Sequence, residues 1–508
     1  IQYFRMIRTQ GAVVLGMVYN YLPFMILPIY SVIVKLDRSL LEAAQDLGAD
    51  DRKVFLKVVL PMSMPGVISG VTMVFVPAVS TFVITKLLGG SKVLLIDCDL
   101  RKPILHKYLR IPKNTSSGLT GVLSGSATLE QAIVKESGSS VLLVVANDSQ
   151  AAQAALACMT EEFGNPSAQY ALGQRARAAL QQARGQVAAA LGCPPDRVIF
   201  TSGGSESINT ALQSAVRRGR RFGRHIVSTQ IEHKATLNTL RQLEQEGYEV
   251  TLVAPEPDGT VALEAILGAL RPDTVLLTLM AVNSETGAIL PVEQAAAEAR
   301  RYAPHCLVHV DGIQAFCKLP LALANVDFLS VSGHKIGACK GVGALYCAEP
   351  KHLKPLIYGG GQEGNLRSGT EGMPQIASFG VASQIRSGRR EQEAEHMAAL
   401  KELLLRRLDE LPCPVRVNSP RHSAPHIVNL SPALGRSEVL VRVLSDQGVY
   451  VSGGSACTRG KRSYVLESMK VPAQAIDGAL RVSFCPENTE EDVEALLSGL
   501  RQALALFD

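Results

Sequence analysis

The sequence predicts an α/β protein over most of its length, preceded by a helical, membrane-type segment. Three observations carry that reading. At 508 residues the chain exceeds what one hydrophobic core usually supports, so two or more domains are expected. From Gln153 onward, short apolar runs alternate with amphipathic stretches, the pattern of a parallel sheet with helical crossovers. Residues 11–34 and 62–85 contain no charged side chain, and each run is long enough to cross a bilayer.

Taken in order, residues 1–90 form the membrane-type segment, a two-span helical fragment. A polar stretch from Glu42 to Ala49 lies between its two spans, followed by Leu60 and Pro61. Residues 91–147 carry an apolar run that ends in Asp97-Cys98-Asp99-Leu100-Arg101. No Gly-Lys-Ser/Thr loop precedes it to cradle phosphates. In the large domain, 153–380, strands are predicted at 198–201, 225–229, 250–253, 275–280, 306–310, 328–331 and 343–347, with an amphipathic helix at 174–191. The pattern over 381–508 suits a smaller α+β domain. A charged helix is predicted at 389–411, strands at 415–418 and 426–430, and helices at 439–444 and 492–505.

Composition excludes several classes of function. A net charge of +5 with no long basic block gives no reason to expect a nucleic-acid partner. The ten cysteines are scattered without a Cys-x-x-Cys pair, which argues against a zinc ribbon, a thioredoxin site or a disulfide framework, and no metal site is expected. Reduced thiols and a cytoplasmic setting are expected for residues 153–508, with membrane association through 1–90 only. The chain opens on Ile1 and shows no signal-peptide pattern, so an N-terminal fragment is expected.

Chemistry concentrates in the large domain. One apolar run ends in Asp311, with Gln314 three residues on, and a second leads into Ser332-Gly333-His334-Lys335. An aspartate and a lysine at the same edge of a parallel sheet suit pyridoxal 5'-phosphate. The amine can bond to the cofactor aldehyde, and the carboxylate keeps the ring nitrogen protonated. Ser202-Gly203-Gly204-Ser205 follows a strand and opens a helix, so its backbone N–H groups can hold a phosphate at the positive helix end.

Further motifs follow in order: Gly164-Asn165-Pro166, Glu232-His233-Lys234, Asn283-Ser284-Glu285-Thr286-Gly287, Arg367-Ser368-Gly369-Thr370 and Ser455-Ala456-Cys457-Thr458. In combination they resemble the cysteine desulfurases of the NifS/IscS type, within the class V aminotransferase-like group, over 153–508. The resemblance implies the fold of type I pyridoxal-phosphate enzymes, with a seven-stranded, mostly parallel sheet and a small C-terminal domain. It implies that Gly204, Ser205, Ser332 and His334 hold the phosphate, and that Thr370 reaches it from the other subunit of a homodimer. By the same resemblance, Lys335 carries the cofactor, Asp311 and Gln314 contact its ring, and His233 stacks on it and moves protons. Asn283 steadies ring and substrate, and Arg481 grips the α-carboxylate of L-cysteine with its planar fork. Cys457 lies in a Gly/Ser-rich stretch expected to be an exposed, mobile loop, and it is the expected nucleophile. Its setting resembles the long-loop subgroup, which hands sulfur to an acceptor or scaffold protein. A selenocysteine lyase or a class V aminotransferase shares the fold without the sulfur step on Cys457.

The first two pieces resemble other families. Residues 1–90 resemble an ABC-importer permease of the polyamine type, whose loop docks on an ATPase, and residues 91–147 resemble a polysaccharide-export tyrosine kinase. Each lacks parts its family needs. Five basic residues at 35–57 against two before residue 11 place that loop in the cytoplasm, which would send residues 153–508 outward. A chain fused from three unrelated pieces is therefore expected. The desulfurase-like part also departs from its family. Residues 141–149 lack the usual opening Asp-Asn-Ala-Thr-Thr strand, Ala338-Cys339 stands for Gly-Pro, and Gly312 stands for alanine.

Overall fold

The computed structural model describes residues 149–453 and 462–507. Of the two units into which the chain divides, Ile1–Glu136 and Ser137–Asp508, only the second contains described residues. Both expected membrane spans, the Asp97–Arg101 motif and Cys457 lie outside the described residues. Among the described residues no helix is long and apolar enough to cross a membrane.

The described part opens with helices α1 (Ser149–Thr160) and α2 (Ala171–Leu191). There follow β1 (Val198–Thr201), α3 (Gly204–Gly219), β2 (His225–Thr229), α4 (Lys234–Gln245), β3 (Glu249–Val253), α5 (Leu263–Ala269), β4 (Thr274–Met280), α6 (Val292–Tyr302), β5 (Leu307–Asp311), β6 (Phe328–Ser332) and β7 (Gly343–Cys347). All seven strands predicted for the large domain are therefore present. Helices α7 (Met373–Gly388) and α8 (Arg390–Arg406) lead out of it, separated only by Arg389, so residue 380 falls inside a helix. The smaller region holds β8 (Val415–Val417), β9 (Ile427–Pro432), α9 (Ser437–Asp446), α10 (Tyr464–Ser468), α11 (Ala473–Asp477), β10 (Leu480–Ser483) and α12 (Glu490–Leu504).

The large sheet runs in the order β1-β7-β6-β5-β4-β2-β3. Strands β2 to β6 pair in parallel, whereas β7 is antiparallel to both neighbours. The ten residues between β6 and β7 are too few for the helical crossover that parallel pairing needs, so the chain folds straight back. Strands β1, β2, β4, β5, β6 and β7 are buried at every position, as expected where helices cover both faces. The outermost strand β3 is partly exposed. On one face α3 and α4 pack Ile208, Leu212 and Leu240 onto Ile226, Leu276 and Phe328. On the other, α2, α6 and α7 pack Leu180, Val187, Ala295 and Phe379 onto Val227, Leu277 and Val331.

In α2 the buried residues Ala176, Leu180, Ala183 and Val187 recur at the spacing of one helix face, and Gly192, at φ 71°, ends the helix in the left-handed conformation. The smaller antiparallel sheet, β10-β9-β8, forms a separate core with α8, α9 and α12 around Leu404, Val428, Leu444 and Leu497. Helix α12 starts with a capping box between Thr489 and Asp492.

Candidate active site

Parallel strands β5 and β6 end at the same sheet edge, and α3 starts there. The turn between β1 and α3 needs its glycines. Gly203 has φ 151°, and a Cβ on Gly204 would lie 2.1 Å from Ile313 Cδ1. The first amides of α3 and the exposed Ser205 thus open onto a cradle bordered by Ile313, on the loop after β5, and by Ser332. Beside it Ser332 Oγ lies 2.8 Å from His334 Nδ1. Burial first, then the charge of Lys335, pushes His334 down to about 4, which keeps the ring neutral.

Asp311 is the last residue of β5. Its carboxylate accepts from Ile313 N at 3.0 Å and is almost wholly buried. Burial raises it to about 6, against the opposing pulls of the Ile313 N–H and the Lys335 ammonium. A buried carboxylate in this condition gains from a cation such as a protonated pyridine nitrogen. Lys335 lies in the single turn Gly333–Lys335 that follows β6, and its carbonyl accepts from Lys318 Nζ at 2.7 Å. A cradle with no room for a Cβ at Gly204 and an acid at the strand end both fit pyridoxal phosphate.

His233 caps α4, its Nδ1 accepting from Ala235 N at 3.1 Å. In the neutral ring the proton therefore sits on Nε2. Burial, then the charges of Lys335 and Lys234, lowers its pKa, so the ring is neutral near pH 7. Asn283 is buried and committed to its own turn. Its Oδ1 accepts from Glu285 N and Thr286 N, both at 2.9 Å, and its Nδ2 donates to Ile231 O at 2.9 Å. Gln314 is half-buried on the loop after β5, and Thr370 is exposed.

Arg481, on β10, donates to Ser284 O at 3.1 Å. Its backbone pairs in both directions with Ser452, just before the segment that contains Cys457. On the far side of that segment, Ser463 donates to the buried Glu285, and Tyr464 Oη donates to Glu232 O at 2.6 Å. One end of the segment is thus tied to Arg481 itself on β10, and the other to the turns that carry Asn283 and His233.

Two groups escaped the sequence reading. Burial chiefly, aided by the positive charge of Lys335, lowers the Lys318 ammonium to about 8. Burial raises Glu232, next to His233, to about 8, against hydrogen bonds from Met280 N and Thr229. Lys318 lies 17 residues from Lys335, and only a charged residue inside an apolar run marked it. Glu232 was visible in its motif, but its burial was not.

Comparison with known proteins agrees with this geometry. The model of the aminotransferase class-V family matches residues 143–496, beginning ahead of α1. The cysteine desulfurase IscS of Methanosarcina thermophila is 36% identical over 349 residues, 68% of this chain and 86% of that protein. A solved NifS-like protein superposes with a TM-score of 0.67 at 34% identity, covering 71% of this chain and 97% of the other. The structure of SspA in complex with cysteine matches at a TM-score of 0.58 and 30% identity, over 68% of this chain and 97% of that one. A second model, the inner membrane component of binding-protein-dependent transport systems, matches residues 7–106 and so runs past the boundary expected at 90. Over its C-terminal two-thirds the chain belongs to the class-V aminotransferase family and, within it, to the cysteine desulfurases.

Proposed function

We propose that the chain takes the sulfur of L-cysteine onto Cys457 and releases L-alanine. The substrate C–S bond breaks, an S–S bond to Cys457 forms, and the two protons needed at carbon come from the substrate and protein groups, so no external oxidant or reductant is needed. The observation that carries this reading is the meeting of Asp311 and Lys335 with the Gly204 cradle at one sheet edge. Bound pyridoxal phosphate supplies the electron sink of the reaction. Gly204, Ser205, Ser332 and His334 would hold its phosphate, and Asp311 would hold its ring nitrogen. Lys335 moves the α-proton, and His233 donates from Nε2. Arg481 grips the substrate carboxylate, which its place on β10 next to Ser284 supports. Asn283 acts by holding the turn that presents Ser284, with its own amide engaged internally.

Thr370 is exposed on a single chain, which supports a role in the partner's site within a homodimer. The sulfur would pass from Cys457 to an acceptor or scaffold protein. The large and small domains are assigned to 153–380 and 381–508 with the boundary moved to the end of α7 at Gly388, since Phe379 and Ala382 pack in the large-sheet core, and the enzymatic part is assigned to the cytoplasm. Any membrane association would reside in 1–90, the permease-like part, with 91–147 as an incomplete nucleotide-binding fragment. The test is incubation of the full chain with pyridoxal phosphate and L-cysteine, followed by measurement of alanine and by mapping of the added sulfur. Equal yields of alanine and of persulfide on Cys457 are expected in the first turnover. Alanine formed equally fast by Cys457→Ala would point to a lyase that does not use this thiol.

A further inference from the structure

We propose that the 361–371 loop is a positioning device that serves two cofactor sites at once, fastened to its own chain's phosphate turn while it presents Thr370 to the partner's. The inference rests on the reading of Thr370 as a residue of the neighbouring site. Glu363 and Asn365 are non-glycine residues held in the left-handed region, at φ 49° and 68°. Such backbone persists only where surrounding contacts over-determine it. Here the contacts are explicit. Arg184 reaches Glu363 with two parallel hydrogen bonds at 2.6 and 2.7 Å, and the Glu363 carboxylate also accepts from Phe200 N at 2.9 Å. Arg184 itself lies on the buried face of α2, where its Nη1 also donates to Val198 O at 2.7 Å.

A second fastening lies four residues on. Arg367 forks onto Glu206 at 2.9 and 3.2 Å, and the same carboxylate accepts from Ser202 N at 2.8 Å. Glu206 is in the first turn of α3, beside Ser205. Gly369 N donates to Gln362 Oε1 at 2.9 Å and closes the loop on itself just before Thr370. The loop therefore grips β1 at Phe200 and, through Glu206, the phosphate turn, and the residue it holds at its end is the one that would leave the subunit.

The consequence is coupling. Phosphate binding restrains Ser202 to Ser205, and through Glu206 and Arg367 it restrains the loop that offers Thr370 to the partner. By reciprocity, filling one site then favours filling the other.

The experiment uses mixed dimers of the full chain in which one subunit carries Lys335→Ala, so that the visible absorption of lysine-linked pyridoxal phosphate reports only the other subunit's site. The loop is released with Arg367→Met and Glu206→Gln together, which leaves no buried charge unpaired, and thermal melting checks that the dimers fold. Placed in the Lys335→Ala subunit, the pair should weaken cofactor binding at the reporting site about fivefold, the worth of one lost hydrogen bond. Placed in the reporting subunit, it should weaken that site less. Unchanged binding in the first arrangement, while Thr370→Val there does weaken it, would overturn the positioning role and leave the shared site standing. If Thr370→Val also has no effect in that arrangement, the shared site itself fails and the proposal with it. Titration of wild type should give a Hill coefficient above 1 that falls toward 1 in the released dimer, and a coefficient of 1 in wild type would remove the coupling.

Discussion

The cofactor half of the site and the sulfur half are built by different means. Asp311, Ser332, Lys335 and Gly204 sit at strand ends and turns of one sheet, so strand register alone brings them together. Arg481 belongs to a second, antiparallel sheet with its own core, and Ser452 bridges to it. This half meets the first through contacts such as Arg481 to Ser284 and through the segment after Ser463, whose Val465, Leu466 and Met469 pack into the large-sheet core. The first half is a property of the sheet. The second depends on individual hydrogen bonds and on the packing of Val465, Leu466 and Met469 against the large domain. Substitutions should therefore behave differently in the two halves.

The largest effect is expected in the cofactor half. Lys335→Ala should lose the covalent link to pyridoxal phosphate and about a thousandfold or more in activity, with folding intact. Absorption after borohydride treatment and turnover of cysteine measure this. Full activity in that variant would break the assignment of the site.

Cys457→Ser tests the sulfur half by itself. It should keep the visible cofactor absorption and bind cysteine yet form no persulfide, because a hydroxyl is a poor nucleophile toward divalent sulfur. Mass mapping after alkylation should then find no added sulfur at position 457. Arg481→Lys should raise KM about tenfold with a smaller change in kcat, since an ammonium cannot reproduce the two-pronged grip on a carboxylate. An equal fall in kcat and kcat/KM would instead mean that Arg481 acts on the reacting atoms.

Asp311→Asn separates stability from function. In the cofactor-free protein Asp311 has a raised pKa, so the folded state binds its proton more tightly than the unfolded chain does. That contribution is present at low pH and is lost as pH rises from the unfolded value near 4 to about 6. The asparagine variant should therefore be more stable than wild type at pH 7 without cofactor, by up to about 3 kcal/mol, while cofactor binding weakens. Denaturant titration of the two apoproteins at pH 4 and pH 7 decides it, because the advantage should vanish at the lower pH. Glu232→Gln should do least. Burial keeps that carboxyl mostly protonated at neutral pH, so an amide of the same shape should leave the pH profile of kcat/KM nearly unchanged up to about pH 7. A profile displaced by a full unit would mean that Glu232 titrates during turnover.

Most of the large domain was legible because buried strands announce themselves as apolar runs, and all seven fall where those runs are. The same rule placed Asp311 and Lys335, since a polar residue that closes an apolar run must lie at a strand end. The β7 reversal follows from a connection length that was readable beforehand, although the pairing itself was not. The break between α7 and α8 was not legible, because the charged pattern continues through Arg389.

By itself the sequence determined the order of elements, the residues that chemistry requires at each strand end, and the glycines of the phosphate turn. These are local matters of period, backbone freedom and side-chain type. Only the tertiary structure decided that Arg184, more than 170 residues before Glu363, would clamp the 361–371 loop, or that Lys318 would sit on the Lys335 carbonyl. Such pairs have no signature in spacing. They exist because packing removes water from a charge, and a charge without water must find its partner wherever the chain brings one.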